Sequence, residues 1–259
     1  MFLRLLFFAF IVMTSAASAA DCPRKGTLGT SRVLAVDAKA FPNLGLKSFP
    51  QTLPLADKEV VLTFDDGPFL RTTNRILAAL AAECVHATFF LIGKSAQANP
   101  DIVKKIAAAG HSIGHHTWSH PILSRLDRAA AIKQIDNGIE ADERALHDGA
   151  AKQDDRTLFF RFPGFASTPA LLDDLKSRHI AVFGADLWAS DWNVMRPQQE
   201  LRLIAQRLES AGKGIILLHD TKAQTAAMLP AFLQYLRKNG YKIVHVVPAQ
   251  TKSSSADDK

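Results

Sequence analysis

A chain of 259 residues, 47% hydrophobic and 22% charged, holds enough apolar material for one large α/β domain or two small ones. Its formal charge of +6 comes from Lys and Arg scattered singly or in pairs, with no basic stripe and no recognisable module, which excludes a nucleic-acid binder. A mildly basic protein acting near an anionic envelope surface fits that balance.

Arg4 precedes an apolar run from Leu5 to Met13, and the small residues of TSAASAA follow. That order reads as a secretory signal peptide over residues 1–20, because the run is too short to cross hydrocarbon; an uncleaved anchor is the alternative. Cleavage after Ala19 or Ala20 would remove Arg4 and leave 30 basic against 25 acidic residues, a charge of +5. The protein is then expected to be periplasmic or secreted, with no stable membrane insertion. Asp21 before Cys22 lacks the small residue that lipid attachment there needs. Export permits a disulfide between Cys22 and Cys84, but two unpaired thiols fit equally well, and neither cysteine has Cys-x-x-Cys spacing.

Residues 21–54 contain Gly and Pro with little periodicity and read as an irregular arm. The patterned domain occupies 55–250, and the polar tail TKSSSADDK, 251–259, is expected to fray. VVLTF (60–64) predicts a strand, followed by a helix capped by Thr72 or Thr73 with Ile76, Leu77 and Leu80 on one face. HATFFLIG (86–93) predicts a second strand, and Asn99-Pro100 opens a helix that Gly110 stops. A long helix is expected from Leu126 to about Leu146, a strand over TLFFRF (157–162), and a short helix from Pro169. IAVFGA (180–185), a helix over Pro197–Ala211 ended by Gly212, GIILLH (214–219), a helix bearing Leu229 to Leu236, and KIVHVV (242–247) complete the series. Apolar strands alternating with helices are the mark of parallel βαβ units, so the residues leave a (β/α) barrel and an open doubly wound sheet as the two architectures. Six or seven strands are slightly few for a full barrel of eight.

In such folds chemistry collects where strands end at their carboxyl edges. Those edges carry Asp65 and Asp66, then Arg161, then Asp186 and Asp191, then His219 and Asp220. GHSIGHHTWSHP (110–121) packs four histidines into twelve residues. His116 and His120 are four apart, so one helical turn would set both imidazoles on one face as a metal pair; a surface cluster is the bland alternative, and His115 makes the assignment ambiguous. Adjacent Asp65 and Asp66 point opposite ways on an extended chain, so one can meet a cation while the other stays an ionised base, although an Asp-Asp-Gly turn can also be merely structural. Arg161, between LFF and FPG, needs a fixed partner such as Asp65. His219 is a candidate proton donor that Asp191 and Trp192 would hold and shield, while Trp188 and Trp192 could equally be core or a sugar-stacking surface.

Five stretches in order, TFDDGP, HTWSHP, RFPGF, SDW and LLHD, resemble the motifs of polysaccharide deacetylases of the NodB-homology type, carbohydrate esterase family 4, over roughly residues 55–250. The resemblance implies a distorted (β/α) barrel of about seven parallel strands and removal of N-acetyl groups from GlcNAc-type glycans with a divalent metal, usually Zn2+. It assigns Asp65 as base, Asp66, His116 and His120 as metal ligands, Arg161 as the residue that positions the base, His219 as acid and Asp191 as the residue that tunes it. Gly164 would give a backbone N–H to the oxyanion, and Trp192 would sit against the substrate. Three positions depart from the pattern: His115 where Asn is common, Gly164 where many members have an aromatic, and Trp188 where an Asp is usual. The implied reaction is metal-assisted hydrolysis of an acetamide, giving acetate and a free amino sugar. Acetylxylan esterase, small cyclic amide hydrolase and inactive carbohydrate-binding relative are the rival readings.

Overall fold

The computed structural model describes residues 24–148 and 157–249. The expected signal peptide, Cys22 and the polar tail therefore lie outside the described residues; Cys84 is disulfide-bonded. Among the described residues no helix is long and apolar enough to cross a membrane.

Among the described residues ten strands and seven α-helices follow one another as β1 (Thr30–Val36), β2 (Asn43–Leu44), β3 (Glu59–Asp65), α1 (Leu70–Ala82), β4 (Thr88–Leu91), α2 (Gly93–Ala98), α3 (Pro100–Ala108), β5 (Ser112–His115), α4 (Arg128–His147), β6 (Phe159–Phe160), α5 (Pro169–Ser177), β7 (Ala181–Phe183), β8 (Leu187–Trp188), α6 (Pro197–Ala211), β9 (Gly214–His219), α7 (Ala223–Lys238) and β10 (Lys242–Pro248). Every pairing is parallel. β9 pairs with β3 along Val60–Asp65, while β10 takes the first two residues of β3 and β4 its last three. From β4 the ladder runs through β5, β6 and β7 to β2, and β8 flanks β9. No ladder joins β7 to β8 among the described residues, so the barrel is distorted and not closed by hydrogen bonds.

Two of the strands lie where an irregular arm was expected. β1 pairs with β10 and β2 with β7, so the arm is part of the sheet. β1 is half exposed, and without a clean apolar alternation it leaves no period-2 signal. β2 and β8, two residues each, are too short to carry a period, while β6 falls within the strand expected over 157–162. The cap of α1 also differs: the helix begins at Leu70, and Thr73 accepts from the Phe69 N–H at 2.7 Å while donating to Asp220 at 2.6 Å. Gly212, at φ +74°, ends α6 as expected, and α4, expected from Leu126, starts at Arg128 because Asp127 caps it through the Ala130 N–H.

Alternation along the strands sorts side chains between two cores. Val60, Leu62 and Phe64 face the helices while Val61 faces the barrel interior, and Phe89 and Phe90 divide the same way. Continuing the period puts Thr63 and Asp65 on the inner side of β3, with Arg161 on the inner side beyond Phe159. Leu53 of the arm and Leu55 just after it pack into this inner core. The lower barrel is thus apolar and its carboxyl-edge mouth polar.

Candidate active site

Asp65 ends β3 inside the mouth, 3% exposed, and Arg161 donates to its Oδ1 at 2.6 Å. Arg161 is fully buried, and four of its five N–H groups are engaged: it also donates to the Thr63 hydroxyl (2.9 Å), the Phe183 carbonyl (3.1 Å) and the Gly184 carbonyl (2.8 Å), and its guanidinium stands 4.2 Å from the centre of the Phe90 ring. Such partnering is what a buried guanidinium requires. Burial pushes the Asp65 carboxyl above its ordinary value, against the opposing pull of Arg161. Thr63 was legible in principle, since it lies two residues before Asp65 on the same face of the strand.

The next residue turns away. Asp66 has φ +76°, a left-handed conformation costly outside Gly, and the turn aims its carboxylate at the loop after β5. There His116 Nε2 lies 3.5 Å and His120 Nε2 3.4 Å from Asp66 Oδ1. The expected helical turn is absent: His116 directly follows strand β5, and Thr117 and His120 both take positive φ, 67° and 62°, so a loop and not an i,i+4 face brings the imidazoles together. Contacts fix this loop from both sides, Thr117 O and Trp118 O accepting from the Gly93 and Lys94 N–H groups of α2, and Trp118 N donating to Gln134 O of α4.

Ligand atoms of Asp66, His116 and His120 lie within 4.8 Å of one another, the one such group among the described residues. Asp66 Oδ1 is buried and accepts no hydrogen bond, an arrangement that costs free energy unless a cation completes it. His116 Nδ1 donates to the Arg161 carbonyl at 2.7 Å, which leaves Nε2 with its lone pair toward the site, and burial pushes this imidazole down to about 3, so it is neutral as a ligand must be. The residues fit a divalent metal. His115 is not among them: it points behind the site, where its Nδ1 meets Asp142 at 2.8 Å and Glu143 lies 3.5 Å from Nε2. Burial lowers the His115 imidazole, and the two carboxylates more than offset this, raising it to about 9.

On the neighbouring strand β9, His219 sits in register with Asp65. Its Nδ1 bonds Asp191 Oδ1 at 2.8 Å, its backbone N–H donates to Asp191 Oδ2 at 2.7 Å, and Thr225 donates to the same oxygen at 2.9 Å. Burial alone would lower the imidazole, but the bond and charge of Asp191 raise it to about 9. It is an imidazolium at neutral pH, and its Nε2 lies 4.0 Å from Asp66 Oδ2. Thr225, on α7, had no sequence signal. Asp186 stands apart from the site and bonds the arm and β9, through Leu46 N, Thr52 Oγ1 and Ile215 N.

A cavity of about 390 Å³ joins these groups, walled by Phe162, Gly164, Phe165, Trp188, Trp192 and Lys222. Trp192 is 46% exposed and meets His219 edge-on at 6.1 Å. Gly164 takes φ +58° on the rim, and an added Cβ would come 3.0 Å from Ile122.

Residues 53–183 match the family model of polysaccharide deacetylases. The chain belongs to the polysaccharide deacetylase family. Among relatives of this family, a peptidoglycan-N-acetylglucosamine deacetylase of Bacillus cereus is 31% identical over 202 residues, covering 75% of this chain and 89% of its own length. The peptidoglycan-N-acetylmuramic acid deacetylase PdaC of Bacillus subtilis is 29% identical over 203 residues, 76% of this chain but 39% of that protein. The chain thus spans well under half the length of this second relative. In three dimensions the peptidoglycan deacetylase Bd3279 of Bdellovibrio bacteriovorus superposes with a TM-score of 0.75 at 28% identity, over 94% of this chain and 68% of its own. The deacetylase fold is an α/β barrel, and the strand-edge cluster stands at the mouth of that barrel here.

Proposed function

We propose that this protein is an exported, metal-dependent hydrolase that removes N-acetyl groups from GlcNAc-containing glycans of the chitooligosaccharide or peptidoglycan type. The observation that carries the reading is Asp66 Oδ1, buried without a donor between two imidazole nitrogens, beside a second carboxylate already neutralised by Arg161. Relatives named as peptidoglycan and chitin deacetylases support the same substrate class. Asp66, His116 and His120 would hold the metal, with Zn2+ the ion whose preference for nitrogen and carboxylate donors this set matches. When bound, the metal supplies Lewis-acid polarisation of an acetamide carbonyl and acidifies water.

The chain's own groups do the rest. Asp65, held by Arg161 and raised by burial, takes the proton from the attacking water. The Gly164 N–H, at the cavity wall, stabilises the oxyanion, a contribution of about 3 kcal/mol for one well-placed donor. His219 carries its proton on Nε2 because Asp191 occupies Nδ1, and gives it to the leaving amine as the C–N bond breaks. Water oxygen ends on the acetate and the sugar keeps a free amine. Trp192 offers an exposed ring for a sugar face.

Acetate release from chitooligosaccharides, peptidoglycan and acetylxylan, each with and without added divalent metal, tests the reading. Release from the N-acetylated glycans alone is expected. Release from acetylxylan only would assign the esterase alternative, and zinc stoichiometry near zero with glycan binding retained would assign the inactive one.

A further inference from the structure

Two lysines at the cavity have no part in this chemistry. Lys222 lines the wall beside His219, and Lys47 Nζ stands 5.3 Å from the ring centre of Trp188, which lines the same cavity. Neither ammonium has a carboxylate partner among the described residues, whereas the buried cation Arg161 is paired with Asp65.

Lys47 lies before residue 53, outside the stretch that the family model matches, yet its backbone is fastened to the site. Its N–H donates to the Ala185 carbonyl at 2.9 Å, and the Leu46 N–H and the Thr52 hydroxyl donate to Asp186 at 2.8 and 2.7 Å. Gly45, at φ +104°, approaches so closely that a Cβ there would come 2.5 Å from Ala185 N. The arm therefore presents Lys47 at a fixed place beside Trp188.

An acetamide and sugar hydroxyls are neutral and leave two unpaired ammoniums unanswered. Placed around an aromatic wall of Phe165, Trp188 and Trp192, they form a positive rim that attracts an anionic group on the bound glycan. The net charge, +5 once Arg4 leaves with the expected signal peptide, acts in the same direction. Product acetate is also an anion, but holding it would affect every substrate alike, so a comparison between substrates separates the two.

We propose that Lys47 and Lys222 form a carboxylate-recognition rim that makes an N-acetylated glycan bearing carboxylates the preferred substrate over a neutral chitooligosaccharide. The inference rests on the deacetylase reading. The carboxylate has two possible sources, the lactyl ether of a muramic acid unit or a peptide attached to it.

The test is kcat/KM for acetate release from three substrates of equal sugar length: a chitooligosaccharide, a peptide-free muramic-acid oligosaccharide, and the same oligosaccharide with its peptide. The full-length protein is compared with Lys47→Gln, Lys222→Gln and Lys47→Arg. A preference for carboxylated over neutral substrate is expected, reduced roughly threefold to tenfold by either Gln variant, retained by Lys47→Arg, and weakened by salt. Preference for the peptide-free muramic substrate supports the rim with the sugar carboxylate as its ligand, and preference for the peptide-bearing one alone supports it with the peptide. Equal kcat/KM on neutral and carboxylated substrates, or Gln variants that lose rate equally on all three, overturns the rim while leaving the deacetylase reading in place. No acetate from any substrate removes both.

Discussion

Asp65 meets Arg161 at 2.6 Å, while Asp66, one residue on, turns at φ +76° toward His116 and His120. Each carboxylate thus faces its own partner, and the repulsion of adjacent acids is relieved by geometry. Removing the charge of Asp65 leaves a fully buried guanidinium uncompensated, which costs about 3–5 kcal/mol. Asp65→Asn is therefore expected to lower the unfolding midpoint in urea, and an unchanged midpoint would contradict the pairing. At His219 the sign is set by Asp191. The imidazole is raised to about 9, so its proton is present at neutral pH and lost as pH climbs through that value, and the rate should fall on a basic limb near there. Asp191→Asn removes the largest of the raising influences, leaving only the charges of Asp65 and Asp66 against burial, and should move that limb toward acid; a limb that stays in place would show that Asp191 does not hold the proton. That Asp65, Asp66, Arg161 and His219 would gather at one edge was legible, because charge at four apolar strand ends is hard to explain otherwise, and the separate roles of the two acids came from the family resemblance alone. Spacing suggested a helical turn for His116 and His120, while the working device is a loop with left-handed Thr117 and His120, a backbone state that residue spacing does not encode.

At the scale of elements, long strands and helices with strong apolar periods were visible, as was the short β6 within its apolar run, whereas β2, β8 and the half-exposed β1 were not, since burial on one face only is what writes a period into sequence. The same packing positions the site. Gly138 of α4 sits so close to the loop that a Cβ would stand 2.5 Å from the Thr117 carbonyl carbon, backbone that cannot step aside. Gly138→Ala should displace the His116–His120 loop and weaken zinc binding about tenfold or more, a loss of the size seen when groups supporting metal ligands are removed. Unchanged zinc affinity by calorimetry would show that α4 does not set the loop. At the opposite end of the sheet, β5 and β10 meet through His245, whose Nε2 lies 2.9 Å from Ser112 Oγ while that hydroxyl donates to the Val246 carbonyl at 2.6 Å. Burial, with His86 nearby, lowers His245 to about 4. The unfolded chain then binds a proton below about pH 6.5 that the fold refuses until about pH 4, so stability falls through that window by up to about 1.4 kcal/mol per pH unit. His245→Gln should flatten the slope of unfolding free energy against pH there, and an unchanged slope would mean this imidazole does not titrate on unfolding.

For the whole molecule, a barrel left open between β7 and β8 lets the arm reach the mouth through β2 and Lys47, so segments outside the family stretch shape the cavity. On the proposed reading a metal would link site to fold: if zinc binds only the folded state, a hundred times its Kd should add about 2.7 kcal/mol of stability, a gain that Asp66→Asn should largely lose. The most direct test of the account is acetate release from an N-acetylglucosamine oligomer by protein stripped with chelator and then reloaded with zinc, for wild type and Asp65→Asn at equal metal content. Wild type should lose its rate on stripping and recover it on reloading, whereas Asp65→Asn should bind zinc normally and turn over at least about 100-fold more slowly. Full activity in the stripped wild type, or in metal-loaded Asp65→Asn, would contradict the division of labour between the two adjacent acids.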